Sequence, residues 1–342
     1  MTASKKKEVK EINLALQGGG SHGAYTWGVL DWLLESQRFT IARVSGTSAG
    51  ALNAAVLTDG MARGGPKEAR KALKDFWTAV SKAGRASPFQ RSPLEVLFGS
   101  WNLDASPMYF GWGLTSRIMS PYQFNPLNIN PLKEIIENHV NFDNIHQYGG
   151  LDLYVAATNV RSGKIKIFAG TELSCDTLLA SCCIPQLYQA VEIDGEAYWD
   201  GCFMGNPPLY PLYNHRGNSD ILLVQINPVY REEVPQTSMD ISVRFSEIAF
   251  NSTLLRKLNA IEFVSNWVNH RISFDDHIQV YLHHIEASKD LHQFGPASQI
   301  NPQGEFIELL FDIGRKSAAA WTNANFDSIG SESTLDFKIS KN

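Results

Sequence analysis

A serine flanked by glycines is the strongest chemical signal in the sequence. Gly46-Thr47-Ser48-Ala49-Gly50 follows the apolar run FTIARV and precedes the small-residue segment ALNAAVL. This order of strand, sharp turn and helix is the context of a nucleophile elbow. Glycine on either side lets the turn pack against a sheet, and the helix N-terminus favours negative charge that develops at the hydroxyl. The pattern predicts Ser48 as a nucleophile, with Gly46 and Gly50 supporting the turn.

A glycine-rich turn, GGGSHG, covers residues 18–23 and again joins a predicted strand, INLALQ, to a helix. Residues without side chains let backbone N–H groups approach a reacting oxygen, as stabilisation of a tetrahedral oxyanion requires. We expect Gly18, Gly19 and Gly20 to form an oxyanion loop, with Gly23 supporting the turn.

The same glycines also match the G-x-G-x-x-G pattern of dinucleotide-binding enzymes. That pattern predicts an acidic residue at the end of the second strand, about 20 residues on. The sequence has Arg43-Val44-Ser45 there, followed by the serine elbow. An oxidoreductase stays open on this evidence, although a second glycine turn that carries a serine favours acyl transfer.

Asp200 is the candidate base, because Trp199-Asp200-Gly201 follows the short strand EAYW. A carboxylate at a strand end can take the proton of a nearby serine and return it to a leaving alcohol. Gly201 leaves space beside it. The nearby Asp194 belongs to an Asp-Gly hairpin turn and is interpreted as structural.

Three segments together resemble the bacterial patatin-like phospholipases in order and spacing: LALQGGGSHGAYTWGVLDWL, VSGTSAGALNAAVL and SCCIPQLYQAVEIDGEAYWDGCFMGNPPL. The resemblance implies a three-layer α/β/α fold and a Ser–Asp dyad that cleaves fatty-acyl esters of lipids without a histidine base. By motif position, Ser48 is the nucleophile, Asp200 is the base, and residues 18–20 form the oxyanion loop. The implied activity is that of a phospholipase A or a lysophospholipase.

The sequence departs from the family pattern at two positions. His22 stands where the family often has Arg or Lys, so a charge near the oxyanion loop is expected to be weaker or pH-dependent. Cys202 stands where the family usually has Gly or Ala, which adds a side chain beside the base.

Composition excludes some classes of function. The 342 residues carry 30 Lys and Arg against 35 Asp and Glu, so no basic field for nucleic acid is expected. No apolar stretch approaches the ~18 residues of a membrane span, and the opening segment lacks the apolar core of a secretory signal. We expect a cytoplasmic protein with possible peripheral membrane contact and a lipid acyl ester as its partner. No metal, cofactor or disulfide framework is predicted from Cys175, Cys182, Cys183 and Cys202.

We expect one α/β domain over residues 10–328 with a mostly parallel central sheet, and flexible tails at residues 1–9 and 329–342. Residues 85–130, called the insertion below, are rich in aromatic residues and Met and are expected to be irregular. They could cover the site and meet lipid, or pack as a satellite core. Residues 240–325 are expected to be mainly helical, with a late strand at HIQVYLHHI.

Other functions remain open at this level. A general carboxylesterase or thioesterase of the same fold would use the same dyad, and a catalytically silent module would bind a lipid or a partner protein. An ordinary α/β-hydrolase would need a histidine after Asp200. The candidates for that histidine are His270, His277, His283, His284 and His292.

Overall fold

The computed structural model describes residues 8–87, 89–103, 106–213, 219–236, 238–271, 280–287, 291 and 294–335. At its centre is an eight-stranded sheet. Its strands are β1 (Lys10–Leu16), β2 (Phe39–Thr47), β3 (Asp152–Asn159), β4 (Ile165–Ala169), β5 (Val191–Ile193), β6 (Glu196–Asp200), β7 (Ser219–Gln225) and β8 (Val280–Glu286). They lie in the order β5-β6-β3-β2-β1-β7-β8, and β4 pairs with β3.

Helices follow most of the strands. They are α1 (Gly23–Ser36), α2 (Ala49–Gly64), α3 (Pro66–Gly84), α4 (Pro93–Leu97), α5 (Pro107–Ile118), α6 (Pro121–Phe124), α7 (Pro131–His139), α8 (Phe142–Gln147), α9 (Cys175–Ser181), α10 (Tyr210–Tyr213), α11 (Ser238–Arg271) and α12 (Gly304–Asn325). Short 3-10 helices lie at Gly20–His22, Gly201–Phe203, Pro296–Ile300 and two further places.

The sheet is mostly parallel and has helices on both faces. Strands β3, β2, β1, β7 and β8 run parallel to one another, whereas β4, β5 and β6 pair antiparallel. Successive residues of a strand face opposite sides. Thus Leu14 and Leu222 pack in the larger apolar cluster with α1, α2, α3 and α12, and Ala15 and Leu223 pack in a second cluster with α10 and α11. The predicted layered α/β fold is confirmed.

The insertion is more regular than expected. It contains α4, α5 and α6, so the prediction of an irregular segment was wrong. Each of these helices begins with a Ser-Pro pair, in which Ser92, Ser106 or Ser120 is the N-cap residue and proline takes the first helical position. Proline there loses no helical hydrogen bond, and serine can satisfy a free N–H. The side chain of Ser92 accepts such a bond from the N–H of Glu95.

The segment after Ser328 packs on the sheet as far as it is described. The N–H groups of Thr334 and Leu335 donate to the C=O of Leu282 at 2.9 and 3.0 Å. Leu335 is buried in the second apolar cluster. Residues 329–335, expected to belong to a tail, therefore extend the ordered fold, and residues 1–7 and 336–342 lie outside the described residues.

Candidate active site

Ser48 occupies a sharp turn between β2 and α2. Its backbone has φ 53° and ψ −125°, a conformation that L-residues rarely adopt. A Cβ on Gly46 would lie 2.5 Å from the carbonyl of Gly50, and one on Gly50 would lie 2.2 Å from the carbonyl oxygen of Leu16. Both positions therefore require glycine. The Ser48 N–H donates to Ser181 Oγ at 2.9 Å, which links the elbow to the end of α9.

The antiparallel direction of β6 brings Asp200 to the elbow. On β3, Ala156 pairs with Thr47 and Ala157 pairs with Asp200, while β4 pairs with both on the other side, so the ends of β2 and β6 meet on one side of β3. Gly201 then packs tightly where these two strand ends meet, because a Cβ there would lie 2.3 Å from the carbonyl oxygen of Ala156 and 2.8 Å from Thr47 Cγ2. This close approach needs a residue without a side chain.

The carboxylate of Asp200 accepts a hydrogen bond from the Cys202 N–H, at 2.8 Å from Oδ1. Burial raises the pKa of Asp200 from 3.8 to about 6, and hydrogen bonding by Cys202 and by the Ser48 hydroxyl acts in the opposite direction. The group is therefore ionised at neutral pH and poised close to the pH range in which a general base is effective.

Two buried thiols flank this pair. The Cys182 thiol lies close enough to Ser48 for its pKa to be lowered by that hydroxyl. Burial, together with the negative charge of Asp200, holds the pKa of the Cys182 and Cys202 thiols well above the ordinary value, so both are protonated. The carbonyl oxygen of Cys183 accepts the Asp200 N–H at 2.8 Å. The short segment that ends α9 thus contacts both Ser48 and Asp200.

The glycine loop after β1 lies directly against the serine. A Cβ on Gly18 would lie 2.8 Å from Ser48 Cβ and 2.9 Å from Cys202 Sγ. The Gly18 N–H is already used, since it donates to Asn206 Oδ1 at 2.7 Å. Within the described part of the chain, the N–H groups of Gly19 and Gly20 have no hydrogen-bond acceptor.

The structure brings all the predicted site residues into one region. Gly20 has φ +58°, and a Cβ on it would lie 2.2 Å from the carbonyl oxygen of Gln299. A Cβ on Gly23 would lie 2.7 Å from Ala49 Cβ, so the N-termini of α1 and α2 touch at this point. The residues so assembled are Gly18, Gly19, Gly20, Gly23, Gly46, Ser48, Gly50, Asp200 and Gly201.

A sequence profile described as Patatin-like phospholipase matches residues 14–213, more than half of the chain. The chain belongs to this family. Membership supports a lipid hydrolase activity. The match spans the glycine loop, the serine elbow and Asp200.

Solved structures of other proteins were also compared with the chain. VipD from Legionella pneumophila is 15% identical, with a TM-score of 0.35, over 91% of this chain and 72% of that one. The type III effector protein ExoU is 14% identical, with a TM-score of 0.36, over 93% of this chain and 54% of that one. The ExoU–SpcU complex from Pseudomonas aeruginosa matches with 14% identity and a TM-score of 0.32 over 98% and 74%. No curated protein matches the chain.

His22, which was expected to make any charge near the glycine loop weaker or pH-dependent, is a neutral residue at ordinary pH. It is buried, and its Nε2 lies 2.7 Å from Ser298 Oγ. Burial, with a smaller effect from the positive charge of Arg231, lowers the pKa of His22 to about 3. The side chain therefore brings no positive charge to the glycine loop at ordinary pH.

The described histidines do not complete a catalytic triad. His283 contacts Asp220 Oδ1 at 2.9 Å and Thr334 Oγ1 at 3.1 Å. It lies on β8, which is separated from β2 by β7 and β1. Among the described residues, no histidine hydrogen-bonds to Ser48 or Asp200. His277 and His292 lie outside the described residues, as does the side chain of His270.

Sites for other groups were also considered. Within the described residues, no three His, Cys, Asp or Glu side chains lie together in a way that could hold a metal ion. The four cysteines are free thiols. Among the described helices, none combines the length and the apolar character needed to cross a membrane.

The insertion presents apolar side chains to solvent and anchors itself with tryptophans. Phe98, Ile118 and Leu127 have exposed fractions of 80, 81 and 80%. By contrast, Trp101 stacks on Phe306 with ring centroids 5.4 Å apart and packs against the larger apolar cluster. Trp112 packs in a smaller cluster under the insertion. The insertion therefore has an inner face of aromatic anchors and an outer face of aliphatic and aromatic residues.

Proposed function

We propose that this protein is a lipid acyl hydrolase of the phospholipase A or lysophospholipase type that acts through an acyl-serine intermediate. The observation that carries the proposal is the strained elbow that places Ser48 beside the buried carboxylate of Asp200, close enough for its hydroxyl to lower the pKa of that carboxylate. A serine needs an adjacent base to become a nucleophile at neutral pH, and Asp200 is such a base.

The reaction follows from this geometry. Asp200 takes the Ser48 proton as Oγ attacks the carbonyl carbon of the ester, and the carbonyl oxygen becomes an oxyanion. When the tetrahedral intermediate collapses, the C–O bond to the alcohol breaks and Asp200 returns the proton to that alcohol. Water then attacks the acyl-serine while Asp200 takes its proton. Collapse of the second intermediate releases the fatty acid and restores the hydroxyl of Ser48.

The oxyanion requires donors that are not otherwise engaged. Because the Gly18 N–H is bonded to Asn206, we assign the donors to the N–H groups of Gly19 and Gly20. Gly18 then contributes the close approach of the loop to Ser48. Loss of one such donor costs ~10²- to 10³-fold in rate at comparable sites.

The apolar outer face of the insertion supports a lipid substrate over a small ester. We assign this face a role as a cover that contacts lipid aggregates from the aqueous side. Burial of apolar surface against lipid stabilises such contact by ~25 cal/mol per Å². A general carboxylesterase, a thioesterase or a silent lipid-binding module would share the dyad region and remains a competing assignment.

Labelling with a fluorophosphonate probe tests the dyad. Wild-type protein should become labelled at Ser48, and Ser48→Ala should not. Asp200→Asn retains the side-chain shape without the basicity, so labelling and hydrolysis should fall close to background. His283→Gln is the control, because His283 contacts neither member of the dyad. The assignment is wrong if Ser48→Ala keeps its activity, or if His283→Gln alone abolishes activity at an unchanged melting temperature.

Substrate class is tested with the same variants. Wild-type protein is incubated with phosphatidylcholine vesicles, lysophosphatidylcholine, p-nitrophenyl butyrate and an acyl thioester, and acid release is measured by mass spectrometry. We expect Ser48-dependent release from the phospholipids. Release from the butyrate or the thioester alone would instead support the esterase or thioesterase assignment, and no release at all would support the silent module.

A further inference from the structure

Both polar groups of the Gly18 backbone are held by side-chain amides. The Gly18 N–H donates to Asn206 Oδ1 at 2.7 Å, and the Gly18 carbonyl oxygen accepts from Asn227 Nδ2 at 2.6 Å. Both asparagines are fully buried. Asn206 lies in the loop after Asp200, and Asn227 lies just beyond β7. These two hydrogen bonds therefore join three distant parts of the chain.

The bond from Asn227 determines where the next N–H points. A trans peptide is planar, so its C=O and the following N–H point in opposite directions. The carbonyl of Gly18 and the N–H of Gly19 belong to one peptide. When Asn227 holds this carbonyl, the Gly19 N–H is directed away from Asn227, and it has no acceptor within the described residues. A glycine peptide would otherwise rotate with little steric cost.

Asn227 is itself oriented by its neighbours. Its Oδ1 accepts from Gln299 Nε2 at 3.0 Å, which leaves Nδ2 for Gly18. Its backbone N–H donates to Gln17 Oε1 at 2.8 Å. Gln17 Nε2 in turn donates to Asn251 Oδ1 at 3.0 Å. Gln299 therefore orients the side-chain amide of Asn227, whereas Gln17 bonds to the Asn227 backbone and Asn251 bonds to Gln17.

We infer that Asn227 is a positioning residue for acyl transfer, which presets the Gly18–Gly19 peptide so that the Gly19 N–H is available to the oxyanion before substrate binds. This inference rests on the function proposed above. Asn227 does not touch the reacting atoms. Its contribution should appear in the transition state, where the oxyanion forms, and not in ground-state binding.

Asn227→Ala is the first test, with p-nitrophenyl butyrate as substrate. The variant leaves the Gly18 carbonyl without its amide partner, so kcat should fall ~10²-fold or more while KM changes little. Inhibition by a trifluoromethyl ketone, which forms an anionic adduct on the serine, should weaken by a similar factor. A residue that only stabilises the fold would leave this affinity unchanged in the folded fraction.

Asn251→Ala is the matched control. Asn251 is equally buried and bonds to Gln17 and to the Pro228 carbonyl, but it bonds neither to Gly18 nor to the side chain of Asn227. At a similar loss in melting temperature it should keep kcat within a few-fold of wild type. If Asn251→Ala loses as much kcat and inhibitor affinity as Asn227→Ala, or if Asn227→Ala keeps both, the inference is wrong.

A milder variant covers the case in which Asn227→Ala does not fold. Gln299 is only partly buried, and Gln299→Ala removes the bond that orients the Asn227 amide. We expect kcat to fall about tenfold and KM to stay unchanged. The loss is smaller than the ~10²-fold effect of removing one oxyanion donor, because Asn227 is still present. A wild-type kcat for this variant would then overturn the inference. Failure of the proposed function is distinguishable, because wild-type protein itself would show no fluorophosphonate labelling at Ser48.

Discussion

The pH dependence of hydrolysis gives a direct test of Asp200 as the base. Burial raises the pKa of Asp200 from 3.8 to about 6. A base acts only when ionised, so kcat/KM should fall as the pH falls through about 6. A single titrating group leaves about half of the activity at pH 6 and about a tenth at pH 5. Exposed aspartates titrate near pH 4 and would leave activity almost unchanged over this range.

The same shift predicts an opposite effect on stability. Because the folded pKa lies above the unfolded one, the folded protein holds the extra proton between about pH 4 and about pH 6. The ionised carboxylate therefore destabilises the fold above this window, by about 3 kcal/mol for the difference between 3.8 and about 6. Buried neutral His22 acts in the other direction, since its pKa is lowered to about 3.

The assay must therefore isolate Asp200 from the histidines. Unfolding free energies of wild type and Asp200→Asn are compared as a function of pH. The unfolding free energy of Asp200→Asn minus that of wild type should rise between about pH 4 and about pH 7. The total rise should be about 3 kcal/mol, because only wild type has a carboxylate that ionises in this range. For activity, butyrate release from p-nitrophenyl butyrate is measured by chromatography between about pH 4.5 and about pH 8.5.

A pair of variants at Cys202 tests whether the loss of activity at acid pH, called the acid limb, comes from protonation of Asp200. Hydrogen bonding by the Cys202 side chain acts to lower the pKa of Asp200. Cys202→Ala removes this donor, so the limb should move to higher pH, whereas Cys202→Ser keeps a donor and should not move it upward. A wild-type limb near pH 4, or a limb that is unchanged in Cys202→Ala, would refute the assignment of this limb to Asp200.

Further substitutions test other parts of the site and the insertion. Gly18→Ala places a methyl group 2.8 Å from Ser48 Cβ, so kcat for a short ester should fall ~10²-fold or more; normal turnover would contradict the close approach. Gly20→Ala combines φ +58° with a carbonyl oxygen at 2.2 Å and should lower the unfolding free energy in urea by about 3 kcal/mol. Trp101→Ala should lower the melting temperature by several degrees because the ring packs on Phe306. Phe98→Ser changes a side chain that is 80% exposed, so it should leave the melting temperature unchanged but weaken co-sedimentation with phosphatidylcholine vesicles. A lower melting temperature with unchanged co-sedimentation would contradict the proposal that the insertion contacts lipid.

The sequence predicts the features of the site that depend on local geometry. The elbow at Ser48 and the loop at Gly18 each follow a strand and precede a helix, and Gly18, Gly46 and Gly50 are required by contacts within the elbow or with the neighbouring strand. The strands are short apolar runs bounded by turn residues, and these patterns locate them well. The Asp-Gly hairpin also follows from its residues, since Asp194 and Gly195 both have positive φ.

Contacts between distant residues could not be predicted in this way. Ser181, Asn206 and Asn227 are ordinary polar residues in the sequence, and Asn227 meets Gly18 across a separation of 209 positions. Nothing in their local pattern indicates the partner. The helices of the insertion had a local signal in the three Ser-Pro pairs, but the density of aromatic residues obscured the helical period. The departure at Cys202 was visible, but its hydrogen bond to Asp200 depends on the fold.

Ser48 and Asp200 follow strands that differ in their resistance to local unfolding. Ser48 follows β2, a strand held between β1 and β3 in the parallel centre, whereas Asp200 ends β6, whose outer neighbour is the three-residue edge strand β5. Edge elements with few partners open at lower free energy than central strands. Mild heat or denaturant should therefore separate the base from the nucleophile while the parallel sheet is still folded. The conditions under which activity is lost are then determined by the β5–β6 hairpin, whereas those under which the protein unfolds globally are determined by the rest of the sheet.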